Sequence, residues 1–238
     1  MVKIGVHSET VKAVQEWLCY NKINVAIDSD FGPATLAGVK EFQKKKQVPQ
    51  TGVVDSLVWD LLRDPITFLE SLPELTNKSI SDTIVINAIR HYVVCPIEIG
   101  GQNLGPFVRF YMKGEEGTEY PWCAGAVSTI VLQSFQMLNR VPKNFRYQMS
   151  CDLMYADAKK FGTLVKTPVP GCLFLSYDPS NPSDCTHAGI ITDTDISGGV
   201  VRTFEGNTND SGSREGYEYV PRIRSLVNKY FINLGGIY

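Results

Sequence analysis

Histidine is scarce in this chain: three residues in 238, at positions 7, 91 and 187. The six cysteines, at 19, 95, 123, 151, 172 and 185, include no Cys-x-x-Cys pair. Together these shortages argue against zinc sites built from clustered Cys and His. Six cysteines in a chain this long are also too sparse for a disulfide scaffold. Charge of one sign is lacking as well, since 23 Lys and Arg stand against 25 Asp and Glu, a net charge of -2. A nucleic-acid binder carries a basic footprint, so that class is set aside. No apolar run approaches the roughly 18 residues needed to cross a bilayer. The opening Met1-Val2-Lys3-Ile4-Gly5-Val6-His7 lacks the apolar core of a secretory signal. The expectation is a monomer made in the cytoplasm without a signal peptide, with neither nucleic acid nor membrane as partner. The remaining composition, 43% hydrophobic and 20% charged, is that of a globular chain with one large domain or two ordinary ones.

The first sixty-odd residues read as a small helical unit. Ser8 and Thr10 are candidate caps for a helix with Val11, Val14, Trp17 and Leu18 on one face. The turn Asp28-Ser29-Asp30-Phe31-Gly32-Pro33 ends that pattern, and Pro33 suits the first turn of a second helix carrying Leu36, Val39 and Phe42. A further turn, Pro49-Gln50-Thr51-Gly52, precedes a helix from about Asp55 with Trp59 and Leu62. Phe31, Phe42, Trp59 and Leu62 read as core, and Gly32 and Gly52 as turn residues. The ordered signatures Asp30-Phe31-Gly32-Pro33-x-Thr35, Val39-x-x-Phe42-Gln43 and Thr51-Gly52-Val53-Val54-Asp55 resemble the peptidoglycan-binding type 1 domain across residues 5–63. The resemblance implies bacterial wall peptidoglycan as partner and wall contacts near Asp30, Phe31, Gly32, Thr35, Thr51 and Gly52. A spacer or lid is the alternative role for such a module.

Residues 65–80, with Pro65 and Pro73, read as a linker between a helical domain at 1–64 and a second domain at 81–238. The second domain opens with a helix capped by Ser81-Asp82 and running through Ile84, Ala88, Ile89 and Tyr92. A longer helix follows from Cys123 to about Leu138, and another spans residues 150–161. Short apolar runs then fit an antiparallel sheet: Cys172-Leu173-Phe174-Leu175, His187-Ala188-Gly189-Ile190-Ile191, Val200-Val201-Arg202-Thr203-Phe204 and Tyr230-Phe231-Ile232. Helices first and strands afterwards give an α+β fold, a three-helix bundle followed by helices packed on an antiparallel sheet.

Cys123 stands at the mouth of an apolar helix, where the dipole and free N–H groups favour a thiolate. A nucleophilic thiol needs a base from elsewhere in the chain. His187 is the best placed, opening a strand after the polar stretch Asn181-Pro182-Ser183-Asp184. A third group to hold the imidazole is available in Glu205 or Asn207, two apart and able to point the same way from a strand. Which of the two contacts the ring stays open at this stage.

The segments Pro121-Trp122-Cys123-Ala124-x-x-Val127-Ser128, Thr186-His187-Ala188-Gly189-Ile190-Ile191 and Glu205-Gly206-Asn207-Thr208 resemble the CHAP family, the cysteine, histidine-dependent amidohydrolases/peptidases. The likeness covers residues 80–215. It implies a papain-like fold, a peptidoglycan amidase or endopeptidase, and Cys123, His187, Glu205 and Asn207 as functional positions. Gln102 and Tyr120 are weaker candidates for an oxyanion-hole donor. Two positions depart from the family pattern: Cys172 after Pro170-Gly171, where an acidic residue is common, and Ala126, where a larger apolar residue is common. The mechanism requires no metal or other cofactor. Some members bind calcium in an acidic loop before the nucleophile; Glu115, Glu116 and Glu119 occupy that place and read as solvated glutamates. The setting expected is a phage endolysin acting on the bacterial wall after release. A contact-delivered antibacterial amidase and a non-catalytic wall-binding protein are the alternatives.

Overall fold

The computed structural model describes residues 1–209 and 216–235, so residues 210–215 of the CHAP-like stretch and the last three residues of the second region lie outside the described residues. Among the described residues the fold is α+β, seven helices followed by a six-stranded antiparallel sheet of order β1-β6-β2-β3-β4-β5. Three helices form the first region: α1 (Glu9–Tyr20), α2 (Pro33–Lys45) and α3 (Ser56–Glu70). Each start has a local cause. The Ser8 hydroxyl accepts from the Val11 N–H, Pro33 opens α2, and the Asp55 carboxylate accepts from the Val58 N–H at 2.9 Å. Val11, Val14, Leu18, Phe31, Val39, Phe42 and Leu62 are buried as the spacing requires. Trp59, expected in the core, is half-buried and lines two surface grooves beside Arg63 and Met1.

Helix α3 runs on to Glu70 with Pro65 inside it, so residues 65–70 of the expected linker are helical. The stretch after it is held to the second region. Arg90 donates to the Phe68 and Ser71 carbonyls at 2.9 and 3.0 Å, and the Leu75 N–H reaches the Met137 carbonyl at 2.7 Å.

The second region places α4 (Ile80–Val93), α5 (Pro106–Tyr111), α6 (Cys123–Met137) and α7 (Cys151–Phe161) against β1 (Leu164–Val165), β2 (Leu173–Asp178), β3 (Asn181–Asp195), β4 (Val200–Thr208), β5 (Glu218–Ser225) and β6 (Lys229–Ile232). Helix α6 packs on β3 and β4, α7 on β3, and α4 on α6. The cap of α4 is Ser79, two residues before the expected Ser81-Asp82, because the Ser79 hydroxyl accepts from the Asp82 N–H at 3.0 Å. Its buried face also differs from expectation: Ile89 and Tyr92 are exposed, whereas Asn87 and His91 are buried. His91 bonds Tyr111 through Nδ1 at 2.8 Å and Gln133 through Nε2 at 2.7 Å. Burial pushes its pKa down to about 3, so it is a neutral core histidine.

One apolar cluster runs through both regions, from Val11, Leu18 and Phe42 to Phe107, Trp122 and Ile190. At the seam, the rings of Trp17 and Tyr20 lie 5.7 and 5.3 Å from that of Phe107. The Tyr20 hydroxyl donates to the Val94 carbonyl. Glu16 and Arg109 form a two-pronged ion pair there, with Glu16 almost wholly buried. A smaller cluster of Cys172, Phe174, Ile191, Val201 and Phe231 lies apart from it.

Candidate active site

Cys123 is the first residue of α6, with Trp122 as N-cap and no side-chain cap. The first backbone N–H groups of such a helix have no intrahelical partner and point at whatever occupies its mouth. Trp122 fixes that mouth. Its indole is fully buried, stacks on Tyr111 at 5.5 Å between ring centres, and donates to Glu98 Oε1 at 2.9 Å. Gly206 leaves room for it, since an added Cβ at 206 would sit 2.6 Å from the indole ring.

His187 lies within β3, because the strand already starts at Asn181 and the expected polar loop is its paired first half. The pairs Ile190↔Phe204 and Ile191↔Thr203 continue to place Gly189 beside Glu205. Residues two apart share a face, so the Glu205 side chain crosses Gly189 to reach His187. A Cβ at 189 would lie 2.7 Å from Glu205 Cγ and 2.5 Å from Phe174. The glycine is what leaves that path open.

His187 Nε2 and Glu205 Oε2 are 2.9 Å apart. Glu205 is fully buried, and its charge is met from three sides: by His187, by the Thr203 hydroxyl at 2.5 Å to Oε1, and by the Arg224 guanidinium at 2.8 Å from Nε to Oε1. Burial alone raises its pKa, but Arg224 and then His187 reverse this and hold it at about 2. Glu205 is therefore a carboxylate that fixes the imidazole with Nε2–H toward it.

The other ring nitrogen, Nδ1, is buried and makes no hydrogen bond of full geometry among the described residues. It is the nitrogen left for Cys123, which couples directly to this ring. Burial pushes His187 down, but Cys123 and then Glu205 lift it to about 9. The Cys123 thiol moves the other way, held well below the ordinary thiol range. Cys151 is the largest cause, burial opposes it, and His187 and the Ala188 N–H add to it. The two shifts run in opposite directions, each in part through the other group.

The remaining expected positions fall in three places. Asn207 does not share the Glu205 direction: its φ of 55° is left-handed, and the β4–β5 register shifts between Glu205 and Thr208. With its amide turned to match the acceptors around it, its nitrogen donates to the Gly216 carbonyl at 2.6 Å and to Asn103 Oδ1 and Glu98 Oε1, each at 3.2 Å. It thus braces the Trp122 side of the helix mouth, while Glu205 holds the imidazole. Gln102 is exposed and Tyr120 half-buried in the loops before α6. Glu116, grouped with Glu115 and Glu119 as a calcium alternative, is drawn instead toward Arg109, Lys12 at 3.2 Å and the Gly105 N–H at 2.9 Å. Among the described residues no group of three or more His, Cys, Asp and Glu side chains is placed to hold a metal ion.

The wall-contact candidates are tied into two turns. Gln15, fully buried, donates to Asp28 Oδ1 at 2.7 Å, the Asp30 carbonyl at 3.0 Å and Thr35 Oγ1 at 3.1 Å, and accepts from the Asp28 and Ser29 N–H groups. Gln43 does the same for the second turn, reaching Thr51 Oγ1, the Val53 carbonyl and the Gly52 N–H. Phe31 is fully buried, Gly32 caps α2, and Gly52 has a φ of 70° with no space for a side chain beside Leu36.

Arg224, Thr203, Glu98 and Cys151 were not singled out by sequence reasoning. Alternation in Arg222-x-Arg224 on a late strand is the one signal that bears on Arg224. Cys151 follows the capping Ser150 at the start of α7, with its Sγ 3.8 Å from that of Cys123.

A peptidoglycan-binding-domain family model matches residues 7–62, the helical region. No curated protein and no solved structure matches the chain. The match supports peptidoglycan as a partner and the cell wall as the place of action. Among the described residues, no helix is long and apolar enough to cross a membrane.

Proposed function

We propose that the chain is a peptidoglycan hydrolase that cleaves an amide bond of the stem peptide through a Cys123 acyl-enzyme. The observation that carries this reading is the imidazole of His187, held by Glu205 at 2.9 Å through Nε2, with Nδ1 left over beside a thiol at a helix mouth. The helical module supplies the substrate class.

In this mechanism His187 Nδ1 takes the Cys123 proton, and the thiolate attacks the carbonyl carbon of the scissile amide. The negative oxygen that forms lies at the start of α6, where the Cys123 backbone N–H is free to donate to it. Collapse of the tetrahedral species expels the amine, which receives the proton from His187. Water, deprotonated by His187, then releases the acyl group and restores the thiol. Glu205 stays ionised throughout and stabilises the imidazolium, with Arg224 and Thr203 holding the carboxylate in place.

Purified wall digested with the full chain and with Cys123→Ala tests the proposal, with released ends identified by mass spectrometry. New free amino groups within the peptides indicate an endopeptidase, and peptide-free muramic acid indicates an amidase. Equal lysis by the alanine variant overturns the thiol mechanism. Wall retention without new ends from either protein leaves a binding protein. Release through a phage lysis event or delivery by cell contact would bring the enzyme to its substrate.

A further inference from the structure

We propose that Cys123 and Cys151 are a thiol–disulfide pair, closing reversibly on oxidation so that Cys151 masks the thiol of Cys123. Each is the first residue of its helix, and their sulfurs lie 3.8 Å apart with both side chains buried. All six cysteines are free thiols in this structure. Closure to the S–S bond length of about 2 Å requires the two side chains together to move by about 2 Å.

The start of α7 and the residues just before it are fixed against α5, α6 and β3 by contacts independent of either sulfur. Ser128 Oγ donates to the Gln148 carbonyl at 2.8 Å and accepts from the Gln148 N–H at 3.0 Å. The Tyr147 hydroxyl donates to the Tyr111 carbonyl, and Asp152 Oδ1 accepts from the Cys185 N–H at 2.6 Å. The acyl-transfer steps give Cys151 no role, yet these contacts hold its sulfur against the reacting one.

The two thiols are also chemically unequal, as attacking and resolving partners are. Cys123 is held toward the thiolate, whereas its neighbour and burial keep Cys151 protonated. With hydrogen peroxide as oxidant, the Cys123 thiolate attacks one peroxide oxygen and the O–O bond breaks, giving a sulfenic acid and hydroxide. Cys151 gives up its proton to that hydroxide and its sulfur attacks the Cys123 sulfur. The S–O bond breaks, and the departing hydroxide takes a proton from solvent. Two thiols are oxidised by two electrons and the peroxide is reduced to water. A dithiol reductant reverses the bond by exchange. The third nearby thiol, Cys185, is pushed up to about 12 by burial and by Asp152 and Asp184.

That this bond is an off-state rests on reading Cys123 as the nucleophile; the bond itself does not. The experiment treats the full chain with limiting hydrogen peroxide, alkylates remaining thiols with iodoacetamide, and maps tryptic peptides. Cleavage at Arg140 and Arg146 separates the Cys123 peptide from the Cys151 peptide. The expected result is a linked pair of these two peptides, loss of Cys123 labelling, and its return after dithiothreitol. In Cys151→Ser, Cys123 instead proceeds to a sulfinic acid that dithiothreitol does not reverse. If that variant does not fold, the wild-type map still decides the matter. Sulfinic acid at Cys123 with Cys151 still alkylated in the wild-type chain overturns the proposal, as does a Cys123–Cys185 link. Linked peptides from a protein whose reduced form lyses no wall keep the bond and remove the catalytic reading. Lysis without linked peptides does the opposite.

Discussion

The helical module and the sheet region both bury polar side chains, and they put them to different uses. In the module the side chains that span the two turns are neutral amides, Gln15 and Gln43, and the buried charge of Glu16 faces Arg109 at the seam. An amide carries donors and acceptors together, so one side chain satisfies both N–H and C=O groups without bringing charge into the core. In the sheet region, besides buried amides such as Asn87 and Asn207, a row of ionisable groups is buried: Glu205, His187 and Cys123, with Arg224 at their edge. Charges in such a place cost several kcal/mol of hydration each and are stable only when paired. Amides are sufficient to hold a shape. A charged row is what proton transfer requires, and on the proposed function this difference separates a scaffold from a reaction centre.

That contrast gives a graded set of expectations. His187→Ala should reduce wall lysis by about 10³-fold or more while leaving retention on washed sacculi unchanged, with turbidity and pull-down assays as readouts. An equal loss from Gln43→Ala would erase the distinction between the regions. Arg224→Met leaves the Glu205 carboxylate buried with its main counter-charge gone, so denaturant unfolding should show a loss of about 3–5 kcal/mol.

The same row also makes stability depend on pH. His187 is raised from 6.5 to about 9 in the fold, so its contribution is full below pH 6.5 and is lost as pH rises through about 9. Glu205 is lowered from 4.5 to about 2, so its contribution is full above pH 4.5 and is lost as pH falls through about 2. On the alkaline side that loss is offset by Cys123, whose thiolate the fold favours, so unfolding midpoints measured across pH should fall at the acid end, and Glu205→Gln should flatten that fall.

Gln43→Ala leaves the Gly52 N–H and the Val53 carbonyl without their partner. It should cost about 2–3 kcal/mol, with the loss independent of pH between those limits. Arg109→Ala is the smallest change, about 1–3 kcal/mol. It uncovers the buried Glu16 but leaves Lys12 at 3.9 Å from it, and Arg109 itself is partly exposed.

The helices, the strands and the α+β order were legible because apolar spacing and turn residues follow local rules. His187 and Cys123 were legible as a rare imidazole on a strand and a thiol at a helix mouth. The choice between Glu205 and Asn207 was not. Strict alternation places them alike, and only the left-handed Asn207 and the shifted β4–β5 register turn them apart. Arg224 lies nineteen positions beyond Glu205, brought to it by strand pairing that no local pattern encodes. Trp59 was misjudged because a tryptophan at helical spacing reads as core whether its neighbours cover it or not. The start of the expected linker differs for a related reason: Pro65 suggests a break, yet packing of Ile66 and Leu69 carries α3 past it.

The seam where Trp17, Tyr20 and Glu16 meet Phe107 and Arg109 has a consequence for reach. A module on a loose string lets its cargo sweep a volume, so the place of cutting bears no fixed relation to the place of gripping. A module clamped by rings and an ion pair acts as a ruler. On the proposed function, a module gripping the wall mesh would carry the thiol to a set offset from the grip, and reaching the next bond would mean letting go and gripping again. Fragments released from an ordered wall would then carry a preferred spacing, a signature that loosening the seam with Arg109→Ala should blur.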